Sequence, residues 1–90
     1  MDTTAVDVVV TGRVQGVFFR ASLRDRATQL GVKGWARNEP DGTVRAHLEG
    51  DPEAVEELVA WCSEGPPAAR VDGVQRETGP VTGERSFQTD

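Results

Sequence analysis

The sequence predicts an α+β sandwich in which one antiparallel sheet, built in the order βαββαβ, carries two helices on one face. Three observations predict it. Apolar residues take one strand face at Val6, Val8 and Val10 and alternate with polar ones at Val44 to Leu48, the period of a half-buried strand. They recur instead at helical spacing at Phe19, Leu23, Ala27 and Leu30, and at Val55, Leu58, Val59 and Cys62. Segments bearing Gly, Pro, Asn and Asp separate these stretches, so strands and helices interleave along the chain rather than falling into blocks.

The first strand is read over Ala5 to Thr11, with Val6, Val8 and Val10 on its buried face. The first helix follows a glycine-bearing loop and stops at Gly31, a residue free to take the left-handed conformation that ends helices. Val32 to Arg37 and Thr43 to Glu49 form a hairpin whose turn, Asn38 to Gly42, carries Pro, Asp and Gly. In its second strand Val44, Ala46 and Leu48 face the core while Arg45, His47 and Glu49 face away. Asp51 as N-cap and Pro52 at the first helical position open the second helix, and Gly65-Pro66-Pro67 closes it. A fourth strand runs from Ala69 to Glu77, with a bulge at Gly73 that lets Val71 and Val74 both turn inward. Thr78 to Glu84 is a loop, and Ser86 to Thr89 a short edge strand. The order is that of a split βαβ, ferredoxin-like sandwich.

Length and charge narrow the function. Ninety residues make one domain, expected over residues 1–90, with a modest core. No apolar run is long enough to span a bilayer and no signal-peptide pattern opens the chain, so a cytoplasmic protein without membrane contact is expected. Cys62 is the sole cysteine and His47 the sole histidine, which leaves no internal disulfide and no zinc-type cluster; neither metal nor cofactor is expected. A net charge of −5 disfavours nucleic acid as a partner. The basic residues Arg13, Arg20, Arg24, Arg26, Lys33 and Arg37 nevertheless lie in the first half of the chain, while acids crowd the second. A monomer acting on a small anion fits this balance.

The segment with chemical content is Gly12-Arg13-Val14-Gln15-Gly16-Val17-Phe18-Phe19-Arg20. It delivers backbone N–H groups at a helix N-terminus, where unpaired donors and the helix dipole favour an anion, and Arg20 adds a planar fork of donors. From the loop alone, an ordinary strand-to-helix turn with a solvated Arg20 stands level with this reading. The loop is not a Walker A sequence, since no Gly-Lys-Ser/Thr follows Gly16, and it lacks the G-x-G-x-x-G spacing of dinucleotide-binding turns.

A second segment, Gly34-Trp35-Ala36-Arg37-Asn38-Glu39-Pro40-Asp41-Gly42-Thr43-Val44, decides between them. G-x-V-Q-G-V-x-F-R at Gly12 to Arg20, followed by G-W-A-x-N-x-x-D-G-x-V at Gly34 to Val44, resembles the paired signatures of the acylphosphatase family, over about Ala5 to Phe87. The resemblance implies hydrolysis of the carboxyl-phosphate bond of acyl phosphates, releasing a carboxylate and inorganic phosphate. It gives Arg20 the place of the phosphate-binding arginine and Asn38 that of the asparagine that holds the attacking water. The backbone of Gln15, Gly16, Val17, Phe18 and Phe19 takes the place of the phosphate cradle. The end of the chain, Phe87-Gln88-Thr89-Asp90, lacks an apolar residue common in the family two places after the phenylalanine, so a frayed last strand is expected.

The main alternative is a non-catalytic module binding phosphate or carbamoyl phosphate, because similar motifs resemble the N-terminal domain of carbamoyl-transfer maturation factors; a free-standing chain of this length favours the hydrolase. A ferredoxin-like RNA-binding domain is weaker still, lacking basic excess and the aromatic RNP pattern. Other reactive residues have simpler explanations. His47 is read as solvated or helix-covered, Cys62 as a small buried hydrophobe, and Asp41 as a turn former rather than a metal ligand. Trp35 and Trp61 are packing anchors, with Trp35 near enough to the proposed site to wall it. Glu53, Glu56, Glu57 and Glu64 form the solvated face of the second helix.

Overall fold

A computed structural model describes residues 2–90. The elements run β1 (Thr4–Arg13), α1 (Phe19–Leu30), β2 (Lys33–Asn38), β3 (Val44–Gly50), α2 (Pro52–Glu64), β4 (Arg70–Thr78) and β5 (Phe87–Thr89). The sheet order is β4-β1-β3-β2-β5. β1 pairs antiparallel with both β3 and β4, and β2 antiparallel with β3. Each helix thus links two strands that run parallel with one strand between them, which is the split βαβ arrangement expected.

Alternation decides which side is covered. Val6, Val8 and Val10 of β1 and Val44, Ala46 and Leu48 of β3 face the helices and are buried, with Phe19, Leu23 and Ala27 of α1 and Val55, Leu58, Val59 and Cys62 of α2 packed on them. α1 lies over β2 and β5, and α2 over β1 and β4. Asp51 caps α2 by accepting from the Glu53 N–H at 2.9 Å, with Pro52 at the first position. Gly31 ends α1 in the left-handed region at φ 73°. Trp61 packs against Phe19 with ring centroids 5.4 Å apart, the anchoring role expected of it. Burial pushes the Cys62 thiol up to about 12, consistent with a core residue and not a nucleophile.

Three expectations need correction. The sheet is mixed, because β5 pairs parallel with β2. The connection after β4 crosses the uncovered face at one end of the sheet, from the Gly79 N–H on the Ala5 carbonyl to the Ser86 carbonyl on the Gly34 N–H. It therefore delivers β5 to the end of the sheet where β2 also starts, and both run the same way. β5 is short but paired at each of its residues, and the Asp90 N–H adds a bond to the Ala36 carbonyl. The β4 bulge is present, but its extra residue is Asp72, since Thr11 pairs with Gly73 and Gly12 already with Val71. Val71 and Val74 both pack against the core, as the bulge requires. Finally, His47 is neither solvated nor under a helix: it is 4% exposed on the opposite face, where the β4–β5 connection covers it.

Candidate active site

The loop from β1 to α1 departs from ordinary backbone at three places. Gly12 has φ 123°, and a Cβ there would run into the Arg70 carbonyl and lie 2.7 Å from the Asp72 nitrogen, so only glycine lets β1 leave the sheet beside the bulge. Gly16 turns at φ 72°. Phe18 sits in the left-handed region at φ 65°, ψ 22°, and is the only non-glycine residue with positive φ among those described. For a bulky side chain that conformation is strained.

The loop ends in an uncapped helix. Phe18 occupies the N-cap position of α1 without a side-chain cap bond, and the first turn holds no acidic residue. Among the described residues, no backbone carbonyl takes the N–H of Gln15, Gly16, Val17 or Phe18. At this end of α1 Val14, Gly16, Phe18, Phe19, Arg20 and Ala21 line a cavity of about 250 Å³, while Gln15 and Val17 do not line it. Arg20 is half-buried at its edge, and among the described residues its guanidinium has no ion-pair partner, as is also true of Arg13, Arg24, Arg26, Arg45 and Arg85. A larger depression of about 440 Å³ lies on the uncovered face between Asp7, Arg45, Arg76 and Glu77. Its charges are of both signs, and it lies over the paired strands β1, β3 and β4 rather than at a helix end.

Asn38 reaches this end of the molecule through the sheet. It pairs with Val44, which pairs in turn with Val10 near the end of β1, so two strand spacings, about 10 Å, separate Asn38 from β1. It lies two residues beyond core-facing Ala36, and so on the helix-covered side of the sheet, exposed at its edge. Asn38 does not line the cavity itself. A residue whose side chain had no assigned part makes the connection: Gln15 donates through Nε2 to the carbonyls of Glu39 and Thr43, at 2.8 and 3.0 Å. The loop and the hairpin base that carries Asn38 are tied together. Asp41 accepts from the Thr43 N–H and hydroxyl, 3.0 and 2.7 Å, which is the turn role expected of it and holds its carboxyl below the usual range.

Trp35 does not wall the cavity. It stacks on His47 on the other face, ring centroids 6.0 Å apart, with the Arg37 guanidinium 4.8 Å from its own ring. His47 stands between two carboxylates, Nδ1 2.8 Å from Asp7 and Nε2 2.6 Å from Glu49. Burial lowers its pKa, but the bonds to Glu49 and Asp7 and their charges outweigh burial and raise it. Burial likewise pushes Glu49 up, yet the Thr82 N–H, His47, the Thr82 hydroxyl and the Glu84 N–H together bring it down to about 2. No periodicity in the sequence signals this cluster, because it depends on the β1–β3 register and on the path of a loop.

The fold and this loop define a small α+β protein with an uncapped helix N-terminus beside a glycine-bearing turn. Residues 6–89 match the acylphosphatase family model. An acylphosphatase of Rubrobacter xylanophilus is 62% identical over 81 residues, covering 90% of this chain and 74% of that protein. The structure of an acylphosphatase from Coxiella burnetii superimposes with a TM-score of 0.95 at 37% identity, over 99% of this chain and 94% of that one. The acylphosphatase of Bacillus subtilis gives 0.93 at 28% identity, over 97% and 98%. This chain belongs to the acylphosphatase family.

Proposed function

We propose that the protein hydrolyses acyl phosphates, holding the phosphate on the N–H groups of Gln15 to Phe19 and the Arg20 guanidinium, with Asn38 orienting the attacking water. The observation that carries this reading is that Gly16, Phe18, Phe19 and Arg20 line one cavity at the uncapped end of α1, beside loop N–H groups that no backbone carbonyl takes among the described residues.

The chemistry suits so sparse a set of groups. The leaving group is a carboxylate whose conjugate acid has a pKa of about 4 to 5, so it departs without a general acid. What remains is to position the reactants and to stabilise charge on three phosphate oxygens, which fixed N–H dipoles and a guanidinium supply. Arg20, in the first turn of α1, binds two oxygens at once through its planar fork. Asn38 accepts from the water with its carbonyl or donates to it with its amide, and is too weak a base to deprotonate it. A substrate phosphate oxygen takes that proton. Phosphorus then gains the water oxygen, the acyl C–O–P bond breaks on the phosphorus side, and the electron pair leaves with the carboxylate. The protein acts as one domain and as a monomer in the cytoplasm, and its net charge of −5 keeps nucleic acid away.

Hydrolysis of benzoyl phosphate, with and without EDTA, tests the reading: turnover well above background and unchanged by the chelator is expected. Absence of turnover would sink it, and loss on chelation with recovery on adding magnesium would show that the loop donors do not carry the phosphate charge alone. Asn38→Ala separates hydrolase from binding module. It is expected to lower kcat about a hundredfold while inorganic phosphate binds within a few-fold of wild type. Equal loss of both would move Asn38 into the cradle.

A further inference from the structure

Phe18 is built in a way the fold does not explain. Its neighbours Val17 and Phe19 are buried, at 5% and 1% exposure, while Phe18 is turned outward and 79% exposed. A lone exposed apolar residue is unremarkable by itself. Here the exposed ring belongs to the one described non-glycine residue in the left-handed region, so the backbone is strained to present a side chain that stabilises nothing. That ring also borders the cavity shared with Arg20. The other large exposed apolar residue among those described, Val81, is at the opposite end of the sheet, beside Gly31, Gly50 and Thr3.

We infer that the Phe18 side chain is the contact surface for the acyl group, and that it makes the site select acyl phosphates with a flat, apolar acyl part. The inference rests on the proposed hydrolase reading. With the phosphate on the N–H groups of the loop, its acyl substituent must leave the cradle toward solvent, and Phe18 is the large apolar surface standing at that exit. An aromatic acyl group lies against the ring and buries apolar area on both partners, whereas an acetyl group covers little of it. The αL turn serves two ends at once, since it aims the Phe18 N–H at the phosphate and its ring at the remainder of the substrate.

The test is the ratio of kcat/KM for benzoyl phosphate to that for acetyl phosphate, in wild type, Phe18→Ala and Phe18→Leu. Wild type is expected to favour benzoyl phosphate about tenfold. Phe18→Ala is expected to lose most of that preference, chiefly through KM, and Phe18→Leu to keep most of it. The same ratio is read at equilibrium from inhibition by benzoylphosphonate and acetylphosphonate, so a change in kcat alone does not obscure it. A ratio in Phe18→Ala equal to that of wild type overturns the inference while leaving the hydrolase reading intact. Failure of wild type to hydrolyse either substrate overturns both.

Discussion

The two ends of the sheet handle charge in opposite ways. At the α1 end, among the described residues, the N–H groups of Gln15 to Phe18 have no backbone acceptor, Arg20 has no ion-pair partner, and Phe18 is strained and exposed. At the other end, His47 is held between Asp7 and Glu49, and Glu49 also accepts from the N–H groups of Thr82, Gly83 and Glu84, at 2.5, 3.1 and 3.1 Å. A neutral imidazole has a single N–H, so two carboxylate partners favour the imidazolium and raise the pKa of His47. One end leaves its backbone donors without backbone acceptors among the described residues, and the other commits its polar groups to the fold. The difference teaches that the reactive residue types, a histidine between two acids, mark the structural cluster, while an arginine among plain backbone amides marks the candidate site.

Four experiments test this contrast. The largest effect is expected from Arg20→Ala, which lowers kcat/KM about a thousandfold, or about 4 kcal/mol, and shifts unfolding stability by no more than about 0.5 kcal/mol. Arg20→Lys restores little, since it keeps the charge and loses the fork. Kinetics on both variants beside denaturant unfolding would show it. Near-normal activity in the lysine variant would mean that charge alone suffices.

His47→Ala reverses the pattern. It strips two carboxylates of their cation and is expected to cost about 3 kcal/mol in unfolding free energy, with kcat retained at a temperature where the variant is folded. A loss of kcat above a hundredfold with an unchanged circular dichroism spectrum would place His47 in the chemistry after all.

The same cluster sets a smaller pH dependence. The folded pKa of His47 is raised, so its contribution is full below its ordinary value of 6.5 and declines as pH rises through the folded value. That of Glu49 is depressed, so its contribution is full above its ordinary value of 4.5 and declines as pH falls toward about 2. Denaturant midpoints are expected to peak between about pH 4.5 and 6.5, and the decline on the alkaline side is expected to vanish in His47→Ala. A profile of identical shape in the variant would locate that dependence elsewhere. The smallest effect is expected from Phe18→Gly, which relieves a left-handed backbone where no packing is lost and stabilises by about 0.5 to 1 kcal/mol. Destabilisation on thermal unfolding would show that the exposed ring supports the loop.

Much of this was legible in the chain because it is local. Asp51-Pro52 announces α2, Gly31 ends α1, and the alternation at Val44, Ala46 and Leu48 gives β3 its buried face, each from physics acting within one or two turns of chain. Gly12 and Gly16 stand where the backbone needs positive φ, and Arg20 falls in the first helical turn. The left-handed Phe18 was not legible, since its sequence neighbours are ordinary helix and strand formers.

The elements, the helix-covered core and the glycine-bearing loop proposed as the anion cradle are read from the sequence alone, because periodicity, caps and turn residues act over a few residues at a time. Only the tertiary structure decided how distant segments meet. The register of β2 on β3 and of β3 on β1 sets Asn38 level with the end of β1, and the Gln15 amide then ties the loop to the hairpin, across separations no local pattern encodes. The path of residues 79–86 across one end of the sheet settled two further matters together. It makes β5 parallel to β2, and it buries His47 and Glu49 on a face whose alternation alone would leave them in water. A strand's period fixes which residues share a face, but what covers that face depends on where the rest of the chain finds its hydrogen bonds.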